Sequence, residues 1–411
     1  MIRFLRAEAR WLFAGFLLCL ASSFGQTYFI SLSNDVLMAR FSLSHGGIGL
    51  VYALATTTSA LILLEFGKLV DRVSTRTAAV IVSAGLAGAC LLMAMTQAVW
   101  MLFFAFLGLR LFGQGMMSQV SMTATGRWFD ARRGRALSIV TLGYAAGIAF
   151  TPALAVAGLA ALGFRSLWLI AAAVMLVVAL PVFYVLLSRE RVPSGSALAD
   201  GTGVAREKTS WRRRNVVRAP AFWFMLTGML CPAFMMTSLL FHQLNLISVK
   251  GWDMVQYASA FSVFATVQVG ASLLAGGLID RFSARRMLPL YLLPMALGMI
   301  SLGLVGEFWV VWPVMVLIGF TAGFDSALSG AIWPELFGLK YLGELRALTF
   351  AFVVGASAVS PLLTGYLIDH GIAFPTQLLG MGLYSLAASG VMLVLQPRLF
   401  AIASDASRRP A

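Results

Sequence analysis

Charge is scarce in this chain. Asp, Glu, Lys and Arg make up 11% of its 411 residues, against about 25% in soluble domains. Hydrophobic residues reach 60% and the mean hydropathy is +0.88, which excludes an ordinary soluble protein. Cysteine is nearly absent: Cys19, Cys90 and Cys231 all fall in apolar runs, so neither a disulfide nor a metal site is expected. The sequence holds no GxxxxGK[ST] phosphate loop, so ATP does not drive it directly. No HExxH, paired CxxC or GxSxG accompanies the apolar runs, so the chain is read as no enzyme and as needing no cofactor.

What fills the sequence instead is apolar runs of about twenty residues, the length that crosses a roughly 30 Å hydrocarbon core. Twelve spans are expected, near 11–38, 46–69, 77–97, 99–125, 136–160, 165–188, 219–248, 254–279, 286–306, 308–334, 345–368 and 373–396. The start, "MIRFLRAEARWLFAGFLLCLA", has the charged head and apolar core of a signal peptide. The apolar run continues through Ile30 with no clear small-residue cleavage site, so a retained first helix is expected. The fold class is therefore an all-α polytopic membrane protein with twelve transmembrane helices.

A net charge of +14 raises nucleic acid as a partner, but the placement of the 30 Lys and Arg argues against it. With the N-terminus inside, 26 of them fall in the tails, the even-numbered connections and the central loop. Arg40, Arg165 and Lys250 fall outside, and Arg110 lies within a span. That asymmetry is the positive-inside rule, and it predicts a multi-pass protein of the cell (inner) membrane with both termini cytoplasmic.

Between residues 189 and 218 the text becomes "RERVPSGSALADGTGVAREKTSWRRRNVVR", which reads as a flexible cytoplasmic linker. The expected domains are a six-helix bundle over 1–188, this linker at 189–218, a second six-helix bundle over 219–396 and a cytoplasmic tail at 397–411. A repeat supports the two halves. "GKLVDRVSTR" begins at Gly67 and "GGLIDRFSAR" at Gly276, an offset of 276 − 67 = 209, close to half the chain. Six positions are identical: Gly67/Gly276, Leu69/Leu278, Asp71/Asp280, Arg72/Arg281, Ser74/Ser283 and Arg76/Arg285. Small residues at 67 and 276 are expected to let helices approach closely. The aspartates at helix ends are placed to meet a helix N-terminus or an arginine.

This phrase resembles motif A of the major facilitator superfamily, roughly G-x-L-x-D-R-x-G-R-K/R, with Ser74 and Ser283 where the family usually has Gly. The resemblance covers nearly the whole chain and implies two pseudo-symmetric six-helix bundles with a solute site between them. It also implies a gating motif, Gly67, Asp71, Arg72 and Arg76 with Gly276, Asp280, Arg281 and Arg285, which latches the halves in one state and loosens in the other. "RWFDARRGRALSIVTLGYAAGIAFTPALA" and "ELFGLKYLGELRALTFAFVVGASAVSPLLTGYLID" more loosely resemble the monocarboxylate and oxalate/formate branch. That branch often places an arginine in span eight, and none stands there before Arg281.

Arg110 is the most informative single residue. A charge at mid-membrane costs about 2.5–3.5 kcal/mol, so it should face a cavity or a partner. "RLFGQG" resembles the superfamily's motif B, which implies proton coupling or substrate binding. Gln114, Ser118 and Ser121 extend a polar stripe from it. The alternative is a structural arginine on backbone carbonyls. Asp325 is the clearest acid within a span; a carboxyl there is a candidate for protonation in coupling, or else a structural anion at helix ends. Gln26, with Ser22 and Ser33, and His242 and Asn245, with Thr237 and Gln243, are candidate cavity donors or interhelical glue. Tyr144 and Gln268 are further candidates.

These readings converge on a secondary active transporter that moves a small organic solute, a carboxylate first, by alternating access with proton coupling. Its partners would be that solute, a proton and the lipid bilayer, with the chain as a monomer. Two rivals remain: proton-driven efflux of amphipathic compounds, and a non-transporting sensor on a transporter fold. The drug-antiporter signature of Gly followed at once by Pro in span five is absent, since Pro152 follows Gly147 by five residues; this favours uptake or uniport.

Overall fold

The computed structural model describes residues 2–67, 69–129, 133–189, 213–338 and 341–408. Among these residues there is no strand; the elements are helices joined by short turns. Among the described residues nine helices are long and apolar enough to cross a membrane, and the bent pair Glu8–Gly25 and Thr27–Phe41 makes a tenth. The longest of the nine, Arg135–Leu186, is broken at Gly163, whose φ of 77° no continuous helix adopts. Counting its two arms separately and adding the shorter apolar helix Leu293–Leu304 gives the twelve expected spans. Their outward faces carry large apolar side chains, among them Leu64, Val177 and Val394, a surface suited to lipid rather than water. Most of the expected linker, 190–212, lies outside the described residues.

The helix ends follow from local chemistry. Ser44 and Ser74 each precede a helix, and their hydroxyls accept from the Gly47 and Thr77 backbone N–H at 3.0 and 3.1 Å, satisfying donors that a helix start leaves open. Arg10 does the converse at a helix end. Its guanidinium donates to the carbonyls of Leu186 and Val185 and to the Ser188 hydroxyl, at 2.6, 2.5 and 2.7 Å. That places a cation on the C-terminus of Leu180–Leu186, where the helix dipole favours it.

The offset of 209 runs far beyond the repeated phrase. Added to the bounds of Asn34–Phe41 it gives Gln243–Lys250, also an eight-residue helix. Added to Ser42, left-handed at φ 52°, it gives Gly251, left-handed at φ 67°. Added to the capping Ser44 it gives Asp253, whose carboxylate accepts from Gln256 N–H at 2.7 Å. Added to Trp128 and Pro152 it gives Phe337, the end of Val311–Phe337, and Pro361, a proline inside Leu342–Asp369. Apart from the proline pair, different residues solve the same backbone problem at these positions, as expected of a duplicated unit.

The first and seventh spans are not continuous helices. The first breaks at Ser22–Gly25 and again at Ser31–Ser33. The seventh is divided into Pro220–Met229, Cys231–Phe241 and Gln243–Lys250. Sequence periodicity shows neither set of breaks, although Gln26 and His242 stand at two of them.

The contacts fall into two compact units. One comprises Met1–Ala199, Leu240–Ser262 and Pro361–His370; the other comprises Asp200–Leu239, Val263–Ser360 and Gly371–Ala411. In the first, Arg133–Ala173 packs along Ile2–Ala21 and Thr75–Ala94. In the second, Leu293–Leu304 packs against Phe374–Arg408 and Val311–Phe337.

Candidate functional site

The break in the first span positions a buried polar cluster of the first unit. Gln26 is extended, with ψ near 150°, so the chain leaves one helical piece and starts another at Thr27. Gly25 makes this possible by lying directly on span four: a Cβ there would come within 2.7 Å of the Gly113 Cα and collide with the Leu109 carbonyl. A Cβ on Gly113 would equally meet the Gly25 Cα at 2.6 Å. This backbone-on-backbone approach is what small residues provide in membrane bundles. Span four answers with its own irregularity, a π-helical stretch over Leu109–Met117, a form often found at functional sites.

Arg110 stands in that stretch and is 6% exposed. Its Nη1 donates to the Thr27 hydroxyl at 3.3 Å, and its guanidinium carbon lies 5.3 Å from the Tyr52 ring centre. Thr27 and Tyr52 hydroxyls are 2.7 Å apart, and Tyr52 is flanked by the rings of Phe106 and Phe241 at 5.6 and 4.6 Å. Arg110 Nε and Gln114 Oε1 are both sealed from solvent without a hydrogen-bond partner. Among the described residues no carboxylate pairs with Arg110. A guanidinium in such a place has the chemistry to receive an anion.

The other expected residues separate into distinct groups. Gln26 is half-buried and reaches the Ser22 hydroxyl at 3.5 Å, while Ser22 donates back to the Cys19 carbonyl. Tyr144 joins Cys19 and Ser118, and Ser121 donates to the Gly15 carbonyl at 2.8 Å; this set binds helices to each other. Ser33 receives the Trp168 indole N–H at 3.0 Å. His242 and Asn245 lie at one end of the first unit with His45. Gln243, 1% exposed, donates to the Tyr28 carbonyl and the Ser31 hydroxyl at 3.2 and 2.8 Å.

In the second unit, Asp325 is half-buried with Oδ1 sealed and unpartnered; Cys231 and Tyr291 are within electrostatic reach of it. Gln268 is half-buried, and its helix and span ten touch through Gly323, where a Cβ would meet the Gln268 carbonyl at 2.5 Å. Thr321 accepts from Met295 N–H, and Thr237 bonds Ser357 at 2.9 Å.

The two copies of the repeated phrase are built differently. At Gly67 a Cβ would meet the end of the Gln119 side chain at 2.8 Å, and Arg127 donates to the Val70 carbonyl at 3.0 Å. Arg76 stacks 3.4 Å over the Tyr184 ring, Arg72 is exposed, and the Asp71 side chain lies outside the described residues. At Gly276 a Cβ would meet nothing within 4 Å, so close approach does not account for that glycine. Asp280 and Arg281 are exposed. The helix-capping expected of Asp280 is performed by Glu335, which accepts from Ala284 N–H at 2.7 Å and pairs with Arg285 at 3.1 Å. These groups line an open pocket of about 440 Å³ with Arg286 and Ser283.

Sequence reasoning passed over Thr27, Tyr52, His45 and Asp369 as site residues. Thr27 carried a signal, since a polar residue follows Gly25-Gln26 in an apolar span. Tyr52 carried none, because one tyrosine in an apolar helix is ordinary core.

No curated protein matches this chain. Two solved structures of a bacterial homolog of the human lysosomal transporter Spinster do share its fold. The inward-facing, unoccupied form aligns with a TM-score of 0.70 and 17% identity, covering 98% of this chain and 97% of that one. The inward-facing, occupied form aligns with a TM-score of 0.64 and 17% identity, over 98% and 96%. The family model described as Major Facilitator Superfamily matches residues 11–344 and 248–400, so that twelve helices, duplicated halves and motif converge on one conclusion: the chain belongs to the major facilitator superfamily.

Proposed function

We propose that this transporter carries a small organic monocarboxylate, together with a proton, across the inner membrane. Family membership brings secondary transport by alternating access; the solute is read from the site. The observation that carries the reading is Arg110, buried without a carboxylate partner among the described residues and held beside Thr27 and Tyr52. Arginine binds a carboxylate through two parallel N–H donors, and the surrounding rings of Tyr52, Phe106 and Phe241 suit an apolar body on the solute. Gln26 and Gln114 are its further hydrogen-bonding groups. Asp325 is the proton carrier in this reading, since its sealed Oδ1 has no hydrogen-bond partner and an ionisable residue inside the membrane marks coupling.

The rest of the cycle follows the sequence. The halves 1–188 and 219–396 rock about the solute, the 189–218 segment joins them, and the repeated phrases at Gly67–Arg76 and Gly276–Arg285 latch one end. The distribution of Lys and Arg puts both termini in the cytoplasm, and one chain suffices as a monomer. A thermal-shift series on the purified protein tests the solute. Monocarboxylates with apolar bodies should raise its unfolding temperature, by the equivalent of about 2.7 kcal/mol at a hundredfold excess over Kd. Stabilisation by lipophilic cations instead would favour efflux of amphipathic compounds, the reading to which the same aromatic rings also lend themselves.

A further inference from the structure

The chain has three histidines, and they gather at one end of the first unit. His242 is 3% exposed, and its Nε2 lies 2.9 Å from the Pro361 carbonyl. The ring of His45 is centred 6.0 Å from that of His242, and its Nε2 lies 3.4 Å from Asn245 Nδ2. The backbone N–H groups of His45 and Gly46 donate to the Asp369 carboxylate at 3.0 and 2.8 Å. His370 follows directly, its Nδ1 2.8 Å from the Tyr366 carbonyl.

This end is a junction between distant parts of the chain. A Cβ on Gly49 would meet the Pro361 carbonyl at 2.6 Å, and one on Gly46 would meet the Tyr366 backbone at 3.2 Å. Ser31 donates to the Leu240 carbonyl at 2.6 Å, and Asn34 to the Phe241 carbonyl at 2.9 Å. Residues 28–49 are thereby sewn to 240–245 and to 361–370, and the histidine pair stands in the seam.

The charged and titratable groups around the pair come from every element packed there. Asp369 ends Leu342–Asp369, and Asp35 opens Asn34–Phe41, within electrostatic reach of His45. Arg40 and Lys250 lie at the far ends of Asn34–Phe41 and Gln243–Lys250. Asp369 and Asp35 are the anions on the His45 side of the pair. A charge on each ring would set two like charges about 6.0 Å apart, with His242 shut away from water beside the ring of Phe241, and their repulsion opposes that arrangement. That opposition is relieved only when the two rings part and His242 meets water.

We propose that His45 and His242 form a proton-binding pair that holds this end of the transporter shut while neutral and opens it when both are charged. The pair is separate from Asp325, and the proposal stands whether or not Arg110 holds the solute. In the orientation given above this end faces away from the cytoplasm, so external acid would favour outward opening.

The test needs no solute. Full-length protein in lipid nanodiscs, with Cys19, Cys90 and Cys231 replaced by Ala, carries spin labels at the exposed positions Val36 and Val249, and the label–label distance is read at about pH 8 and about pH 5.5, either side of the ordinary imidazole range. The expected result is one short distance at the higher pH and an added longer one at the lower. His45→Gln, at a half-buried position, and His242→Gln should each keep the short distance alone at both. Asp325→Asn should leave the response intact. The proposal is overturned if the parent shows one distance at both pH values, if the longer distance persists in His45→Gln, or if Asp325→Asn removes it.

Discussion

Ser74 and Ser283 occupy the same place in the repeated phrase and hold opposite backbone conformations. Ser74, at φ −61°, caps the following helix through its hydroxyl. Ser283, at φ 78° and ψ 150°, stands where side chains other than glycine are strained, and its hydroxyl is sealed without a partner. The family's usual glycine suits the second site and not the first. Ser283→Gly should therefore stabilise the protein by about 1 kcal/mol through relief of that strain. Ser74→Ala should destabilise it by a similar amount through loss of the cap. Thermal unfolding of the purified variants reads both, and equal effects at the two sites would contradict the assignment.

Gly25 and Gly113 allow span one to break against span four, and that contact puts Thr27 at Arg110. Gly25→Val should cost about 3 kcal/mol or more, as overpacking against backbone does. Gly88, whose Cβ would meet nothing within 4 Å, should accept Ala with no measurable loss. Unfolding midpoints of Gly25→Val and Gly88→Ala, compared side by side, check the distinction.

Arg110 should be irreplaceable by lysine if the solute is a carboxylate. A point charge cannot reproduce a two-donor fork, and losing a charge-assisted hydrogen bond worth about 1.5–3 kcal/mol weakens binding roughly ten- to a hundredfold. Thr27→Val removes the hydroxyl that accepts from Arg110 and bonds Tyr52 while leaving the two-donor fork in place, and should weaken binding less, by about fivefold. Titration of the best monocarboxylate from the thermal-shift series against the three proteins gives the order; equal affinity in Arg110→Lys would refute two-donor binding.

Asp325→Asn should uncouple rather than abolish transport. The amide keeps the shape of the protonated acid and cannot release a proton, so solute exchange across proteoliposomes should persist while accumulation driven by a pH gradient is lost. Gradient-driven accumulation at the parent's rate in Asp325→Asn would remove Asp325 from the proton path.

Much of the architecture is written locally. Twelve apolar runs, the Lys and Arg asymmetry and the doubled phrase each depend on residue type and spacing alone, because a bilayer imposes the same length and composition on every helix that crosses it. The offset of 209 was visible in one phrase, and the structure extends it to Ser42/Gly251 and Ser44/Asp253, pairs whose residue types differ while their backbone task is the same. Sequence identity misses such pairs because a left-handed turn or an N-cap accepts several residues.

Other features depended on which surfaces meet. Arg110 stood out in the sequence because an intramembrane charge is costly anywhere, but Thr27 and Tyr52 did not, since a threonine or tyrosine becomes part of a site only through its neighbours. His45 and Asp369 lie 324 positions apart, and nothing in either segment announces the other. The sequence by itself determined the class of machine, its duplicated plan and its two isolated charges, all properties of single residues in a low-dielectric slab. Tertiary structure alone decided which hydroxyl faces the arginine, which glutamate caps the second phrase and which histidines share a seam, because those are close contacts between segments that the chain order keeps apart.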